Sequence, residues 1–302
     1  MARLFLLLTL FLSAIPSRAI CQDFVKEFDS VYGHIIIRRN GTVVEMFATY
    51  KGWMARESGI DLADPTRIIV PYVRNLFAAS IVSPDPRNAL VIGMGGGGFN
   101  RLFNEVYPAA VLTSVEIDKK VVELAKEYMG FQETERNQVA VRDGRSYVRR
   151  SLEKYDWIIL DAFHGSVVPP HLKTRDFYRQ IAERLSDRGI LISNIHDDSE
   201  LFYYDLATYR AAFKDLVFIK VPESGNVIVL AADTPPGTIE VQLKEFDTKQ
   251  IQNATWHREI PANDFVRRIM RFSEADLKRG KIMTDDFAPA EYFRIIPAAP
   301  RK

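Results

Sequence analysis

The sequence predicts an α/β protein: a doubly wound, mostly parallel seven-stranded sheet with a small N-terminal β appendage. Three observations predict it. From Asn88 onward, short apolar runs alternate with amphipathic helical stretches, the pattern of a parallel sheet covered on both faces. Right-handed crossovers leave the doubly wound sheet as nearly the only arrangement. The last two runs, LVFIKV (216–221) and NVIVLAA (226–232), lie close enough around Pro222 to Gly225 to pair antiparallel.

The elements follow in order. Residues 1–20 (MARLFLLLTLFLSAIPSRAI) place Arg3 before an apolar run from Leu4 to Leu12, then small and turn residues. This is the shape of a secretory signal or apolar anchor, short for a bilayer span. Cleavage after Ala19 fits, although Arg18 precedes it, and Ile20 argues against a lipid-modified Cys21. An exported or membrane-tethered protein is expected, periplasmic or secreted; if the segment is not a signal, the chain is cytoplasmic. In residues 21–63, HIIIRR and TVVEMF flank Asn40-Gly41, a hairpin signal. The main domain is expected over 64–302. Asp64-Pro65 reads as a helix start, with Val73, Leu76, Phe77, Ser80 and Ile81 at helical spacing.

The strand runs are ALVIG (89–93), VLTSVEID (111–118), QVAVRDG (138–144), DWIILDAF (156–163) and GILISNIH (189–196), followed by the closing pair. Between them, KKVVELAKEYM sets Val121, Leu124, Ala125 and Tyr128 on one face, and TRDFYRQIAERL aligns Phe177, Ile181 and Leu185. Beyond about residue 235 the periodicity fades into a helical and irregular closing segment.

Composition narrows the function. The 302 residues carry 40 Lys+Arg against 39 Asp+Glu, a net charge of +1, so no global field favours nucleic acid. A single Cys excludes a disulfide framework, a Cys-rich zinc site and a Cys-ligated iron–sulfur cluster. The five histidines, His34, His164, His171, His196 and His257, show no metal-ligand spacing, and no metal is expected.

Four strand ends carry the chemistry. Gly93-Met94-Gly95-Gly96-Gly97-Gly98 lies between a strand and a helix, where glycines let the backbone turn tightly and a ligand approach closely. Taken alone such a loop is also what a flexible turn looks like. Glu116 ends the second strand, about 20 residues on, where an acid accepts from ribose hydroxyls; Asp118 reads as the cap of the next helix. Asp143-Gly144 ends the third strand, and two readings of Asp143 stay open: acceptor for an exocyclic amine such as that of adenine, or helix N-cap. Asp161 ends the fourth. Open α/β sheets bind ligands outside the carboxyl ends of their strands, so these groups converge on one crevice.

The run VIGMGGGGFNRLF…VEIDKKVVELA…RDGRSYV…YDWIILDAF, continued by VPPHLKTRDFYRQIAERLSDRGILISNIH and TDDFAPAE, resembles the spermidine synthase (polyamine aminopropyltransferase) family, within the class I S-adenosylmethionine-dependent methyltransferase fold. The resemblance spans roughly residues 31–293. It implies an adenosyl sulfonium cofactor, decarboxylated S-adenosylmethionine or S-adenosylmethionine, a small amine substrate and a homodimer. Glu116 would hold the ribose, Asp143 with Gly144 the adenine, and the loop with Gly93, Gly95 and Gly97 the sulfonium-bearing tail. Asp161 matches the proton acceptor.

Two departures from the family pattern stand out. Gly96 replaces an Asp that meets the primary amine of the decarboxylated cofactor, and His164 replaces a carboxylate that helps bind the amine substrate. Both losses also relax the repulsion that would exclude an intact cofactor, whose tail carries a carboxylate that glycine amides at a helix N-terminus would accept. Aminopropyl transfer is therefore the first expectation, with methyl transfer and a non-catalytic exported relative as alternatives. His164 and Asp286 are candidate substrate contacts.

Overall fold

The computed structural model describes residues 23–50, 53–64, 66–163, 168–198, 201–222, 224–246 and 262–288. The apolar segment 1–20 lies outside them. Among the described residues, no helix is long and apolar enough to cross a membrane.

The chain opens with β1 (Phe24–Ser30), β2 (Gly33–Asn40), β3 (Val43–Tyr50) and β4 (Trp53–Asp61), an antiparallel meander in that order. The expected hairpin is present as β2 and β3, with Asn40 opposite Val43, but it forms the middle of a four-stranded sheet. The flanking strands escaped notice because neither FVKEFDS nor WMARESGID keeps a regular alternation of apolar and polar positions. The apolar face of the sheet (Ile35, Ile37, Val44, Met46, Ile60) packs on Leu124 and Met129, with Val121 and Tyr128 at the margin. Most of the apolar stripe that the sequence shows on this helix thus covers the appendage.

Two short helices follow, α1 (Pro71–Leu76) and α2 (Ala79–Val82). The helix starts at Pro71, six residues later than Asp64-Pro65 suggests. Asp64 instead closes a local turn, accepting from the Thr66 amide at 2.9 Å and hydroxyl at 2.7 Å, while Ile68 bridges to Ile60. Pro71 takes the first helical turn, where its missing N–H costs nothing.

The main sheet comprises β5 (Asn88–Ile92), β6 (Val111–Glu116), β7 (Asn137–Val141), β8 (Tyr155–Leu160), β9 (Leu185–His196), β10 (Asp215–Lys220) and β11 (Asn226–Ala232). Its order is β10-β11-β9-β8-β5-β6-β7. Strands β5 to β9 run parallel to one another, and β11 is antiparallel to both β9 and β10. The helices are α3 (Gly98–Val106), α4 (Lys119–Tyr128), α5 (Gly144–Arg150), α6 (Arg175–Ala182), α7 (Leu201–Ala212), α8 (Thr238–Glu245), α9 (Ala262–Arg267) and α10 (Glu274–Arg279).

Alternation along β5 shows why the sheet is covered twice. Ala89 and Val91 join Phe99 and Phe103 of α3, Leu76 of α1 and Ile239 of α8. Leu90 and Ile92 join Val148 of α5, Phe177 of α6 and Leu206 of α7 on the other face. The fold is that of the doubly wound expectation, and it sets β5, β6 and β8 side by side with their carboxyl ends on one rim.

Candidate active site

A cavity of about 500 Å³ opens on that rim, between the main sheet and the inner edge of the appendage. Gly93, Gly95, Glu116, Asp143, Gly144 and Asp161 all line it, so the strand ends that carried the sequence argument do converge. The glycine loop starts at Gly93, with φ of 92°. A Cβ there would strike the Asp161 carbonyl oxygen, so glycine is what lets the ends of β5 and β8 meet. Gly97 does not line the cavity. It is the N-cap residue of α3, and a Cβ on it would press against the Phe131 ring at 2.8 Å; its role is packing and capping. Gly144 likewise packs closely on the Ile92 side chain, although it borders the cavity.

Glu116 is buried at the end of β6. Its Oε2 accepts from the amides of Met94 (3.0 Å) and Gly95 (3.4 Å), and its Oε1 from Asp118 (3.0 Å). Burial pushes its pKa up while these three amides oppose the rise. A carboxylate offers about four acceptor positions, so three donors leave one for a ligand hydroxyl. The long Gly95 contact is the bond a second hydroxyl would displace. Asp118 caps α4 through the Lys120 amide, as its position after the strand implies.

Asp161 sits just beyond β8. Tyr72 of α1 donates its hydroxyl to Oδ2 at 2.7 Å, and Asn194 of β9 donates its amide to Oδ1 at 2.9 Å. The Asn194 oxygen in turn accepts from Asn226 of β11 at 2.9 Å, which fixes the amide so that its nitrogen faces the acid. Burial raises the Asp161 pKa to about 6, with both donors pulling the other way. Burial, and then proximity to this acid, hold the Tyr72 phenol far above its ordinary range. Such a carboxylate exchanges its proton near neutrality, which is what a general base needs.

Sequence reading missed Tyr72 and Glu57. Tyr72 lies one position off the apolar stripe that starts at Val73, and nothing local marks it. Glu57 lies on β4, across the cavity, with Oε1 buried and unpartnered among the described residues. Its pKa is pushed up to about 8, mainly by burial and further by Asp161 and Glu116.

Asp143 is the N-cap of α5, accepting from Ser146 at 2.8 Å. Its second oxygen lies 2.8 Å from His171 Nε2. The capping reading is thus realised, and any ligand amine must share Asp143 with His171. Asp286 is exposed and outside the cavity lining. Its neighbour Asp285 instead pairs with Arg145 and accepts from Thr174 at 2.8 Å, tying the closing segment to α5 and α6. His164 lies outside the described residues.

The comparisons with known proteins agree with this geometry. A family model described as "Spermine/spermidine synthase domain" matches residues 76–228. The polyamine aminopropyltransferase of Vibrio vulnificus is 33% identical, the match covering 76% of this chain and 77% of that protein. Among solved structures, a spermidine synthase in complex with the transition-state analogue AdoDATO superposes with a TM-score of 0.62 at 20% identity, covering 84% of this chain and 87% of its own. Human methyltransferase-like protein 13 in complex with SAH gives 0.52 at 20% identity, covering 74% and 99%. These structural likenesses establish the shared methyltransferase-like fold, and the family match spans half the chain: the chain belongs to the spermine/spermidine synthase family.

Proposed function

We propose that the protein is a transferase that moves an aminopropyl group from decarboxylated S-adenosylmethionine to a small amine. The observation that carries this reading is the placement of Asp161, half-buried and poised near pH 6 in the same cavity as Glu116 and the glycine loop. A cavity of about 500 Å³ has room for an adenosine derivative and a short amine. The donor set fits as well: one acceptor position on Glu116, and carboxylates facing what would be a cationic tail.

When bound, the sulfonium supplies a carbon made electrophilic by the adjacent positive sulfur, whose C–S bond gives its electron pair to sulfur as the amine nitrogen bonds. The protein does the rest. Glu116 fixes the ribose, and Asp143 and Gly144 border the base. Asp161 Oδ takes the proton that the amine nitrogen sheds on becoming a secondary amine, a contribution of about 10²–10⁴-fold in such reactions. Tyr72 and Asn194 hold the carboxylate in place and offset part of its desolvation. The Vibrio vulnificus relative, named a polyamine aminopropyltransferase, and the AdoDATO-bound neighbour support the same reading.

Incubation with decarboxylated S-adenosylmethionine and a panel of linear diamines is the test, read by chromatography of the nucleoside product. Methylthioadenosine is expected. Release of S-adenosylhomocysteine from the intact cofactor would replace the reading with methyl transfer, and absence of both would mark a non-catalytic relative.

A further inference from the structure

We propose that Glu57 is the residue that selects the decarboxylated cofactor, receiving the primary ammonium of its aminopropyl tail from the appendage side of the cavity, in place of the acid that the glycine loop lacks. This rests on the transfer reading above and names the tail chemistry that the site prefers.

Backbone geometry is the first support. Met46 of β3 pairs with Ser58, and the next residue, Phe47, pairs with Arg56, so Glu57 is the extra residue of a β-bulge. Bulges bend a strand and re-aim a side chain, commonly beside active sites. Here the bulge lies against the glycine loop, with Glu57 itself on the cavity lining. A Cβ on Gly95 would meet the Glu57 carbonyl and the Ser58 Cβ, each at 3.6 Å, and a Cβ on Gly98 would lie 3.2 Å from the Gly59 carbonyl.

The second support is the state of position 96. Gly96 is buried, and it is not part of the cavity lining. Any side chain there would collide with the Met129 thioether and come within 2.9 Å of Ser58 Oγ. A side chain at position 96 would therefore require the Met129 side chain to move, and the carboxylate this chain presents to the cavity from the facing wall is Glu57.

Third, no cation pairs with Glu57 among the described residues. Its Oε1 is buried without a hydrogen-bond partner among the described residues, a costly arrangement unless a ligand completes it. Of the basic groups that also line the cavity, Arg67 is engaged with Asp61, Arg101 with the Leu62 carbonyl, His34 with Asp29 and Glu27, and His171 with Asp143, while Arg142 lines it beside Asp143. Four of the six loop amides are already engaged. The amides of Gly93, Met94, Gly95 and Gly97 are bound to Val115 O, Glu116 (twice) and Met94 O. Glu116 and Asp161 disfavour an anion in the cavity, and an ammonium that reaches Glu57 draws it into its charged form with release of the proton that burial otherwise keeps on it.

Calorimetric titration of the full chain and of Glu57→Gln decides it, with three ligands: decarboxylated S-adenosylmethionine, S-adenosylmethionine and methylthioadenosine. The wild type is expected to bind the decarboxylated form more tightly than the intact one. In the variant, affinity for the decarboxylated form should fall about 10- to 100-fold, the loss of one charge-assisted contact. Methylthioadenosine, which has no tail amine, should bind both proteins alike and so reports that the variant is folded. A variant that keeps the wild-type preference overturns the assignment of Glu57 and leaves the transfer reading standing. A wild type that binds none of the three overturns both.

Discussion

On the sheet side of the cavity the acids are held before any ligand arrives: Glu116 takes three backbone amides, and Asp161 takes Tyr72 and Asn194. On the appendage side Glu57 keeps a buried oxygen without a partner among the described residues. The difference separates two uses of a carboxylate. A fully bonded acid has one orientation and a set proton affinity, which is what preorganised catalysis and ribose binding require. An unbonded buried acid is under-compensated until a cation reaches it, so it discriminates among ligands. The first wall favours geometry and the second favours selection.

The contrast breaks most sharply at Asp161. In Asp161→Asn the amide still accepts from Tyr72 but cannot take a proton, so kcat should drop about 10²–10⁴-fold, while calorimetry shows cofactor binding retained. A rate near the wild-type value removes Asp161 as the acceptor. Glu116→Ala should act on binding. It strands the amides of Met94, Gly95 and Asp118 and deletes the ribose acceptor, lowering cofactor affinity about 10- to 100-fold and the stability of the free protein by about 1–3 kcal/mol. Unchanged affinity in that variant, measured by calorimetry, removes the ribose assignment.

The sheet wall was legible in the sequence and the appendage wall was not, for a physical reason. Buried parallel strands must be continuous apolar runs, and a ligand-binding turn between strand and helix needs glycine. ALVIG with its glycines, the acid closing TSVE and the Asp after DWIIL therefore announce themselves within a few residues. The antiparallel β11 was legible from the shortness of the connection after β10. Glu57 and Tyr72 carry no such mark. WMARESGID has neither clean alternation nor an apolar run, and Glu57 matters only because a bulge, set by the pairing of β3 with β4, turns it toward a loop nearly forty residues downstream. Tyr72 depends on α1 starting at Pro71, which itself depends on Asp64 closing a turn in place of opening a helix. The same holds for position 96: its glycine reads as cofactor chemistry until Met129, brought in by the end of α4, is seen to occupy the space.

The smallest effect sharpens the comparison through pH. In the folded protein Glu57 keeps its proton up to about 8, because burial penalises the carboxylate and Asp161 and Glu116 on the facing wall add repulsion, whereas its ordinary value is 4.5. The folded state thus binds a proton that the unfolded chain has released, and stability falls as pH rises through that window, levelling off above the upper value. Glu57→Gln removes this loss and leaves the Asp161 and Glu116 ionisations in both proteins. The variant and wild type should melt together at pH 5. At pH 9 the variant should be more stable by about 1 kcal/mol or more, a rise in Tm of about 2 °C or more for a protein of this size. The sign is opposite to that of Glu116→Ala, since one substitution relieves an uncompensated acid and the other strands the amides of a compensated one. Parallel melting curves at pH 5 and pH 9 would mean that Glu57 is already satisfied in the free protein, and the distinction between the two walls would be lost.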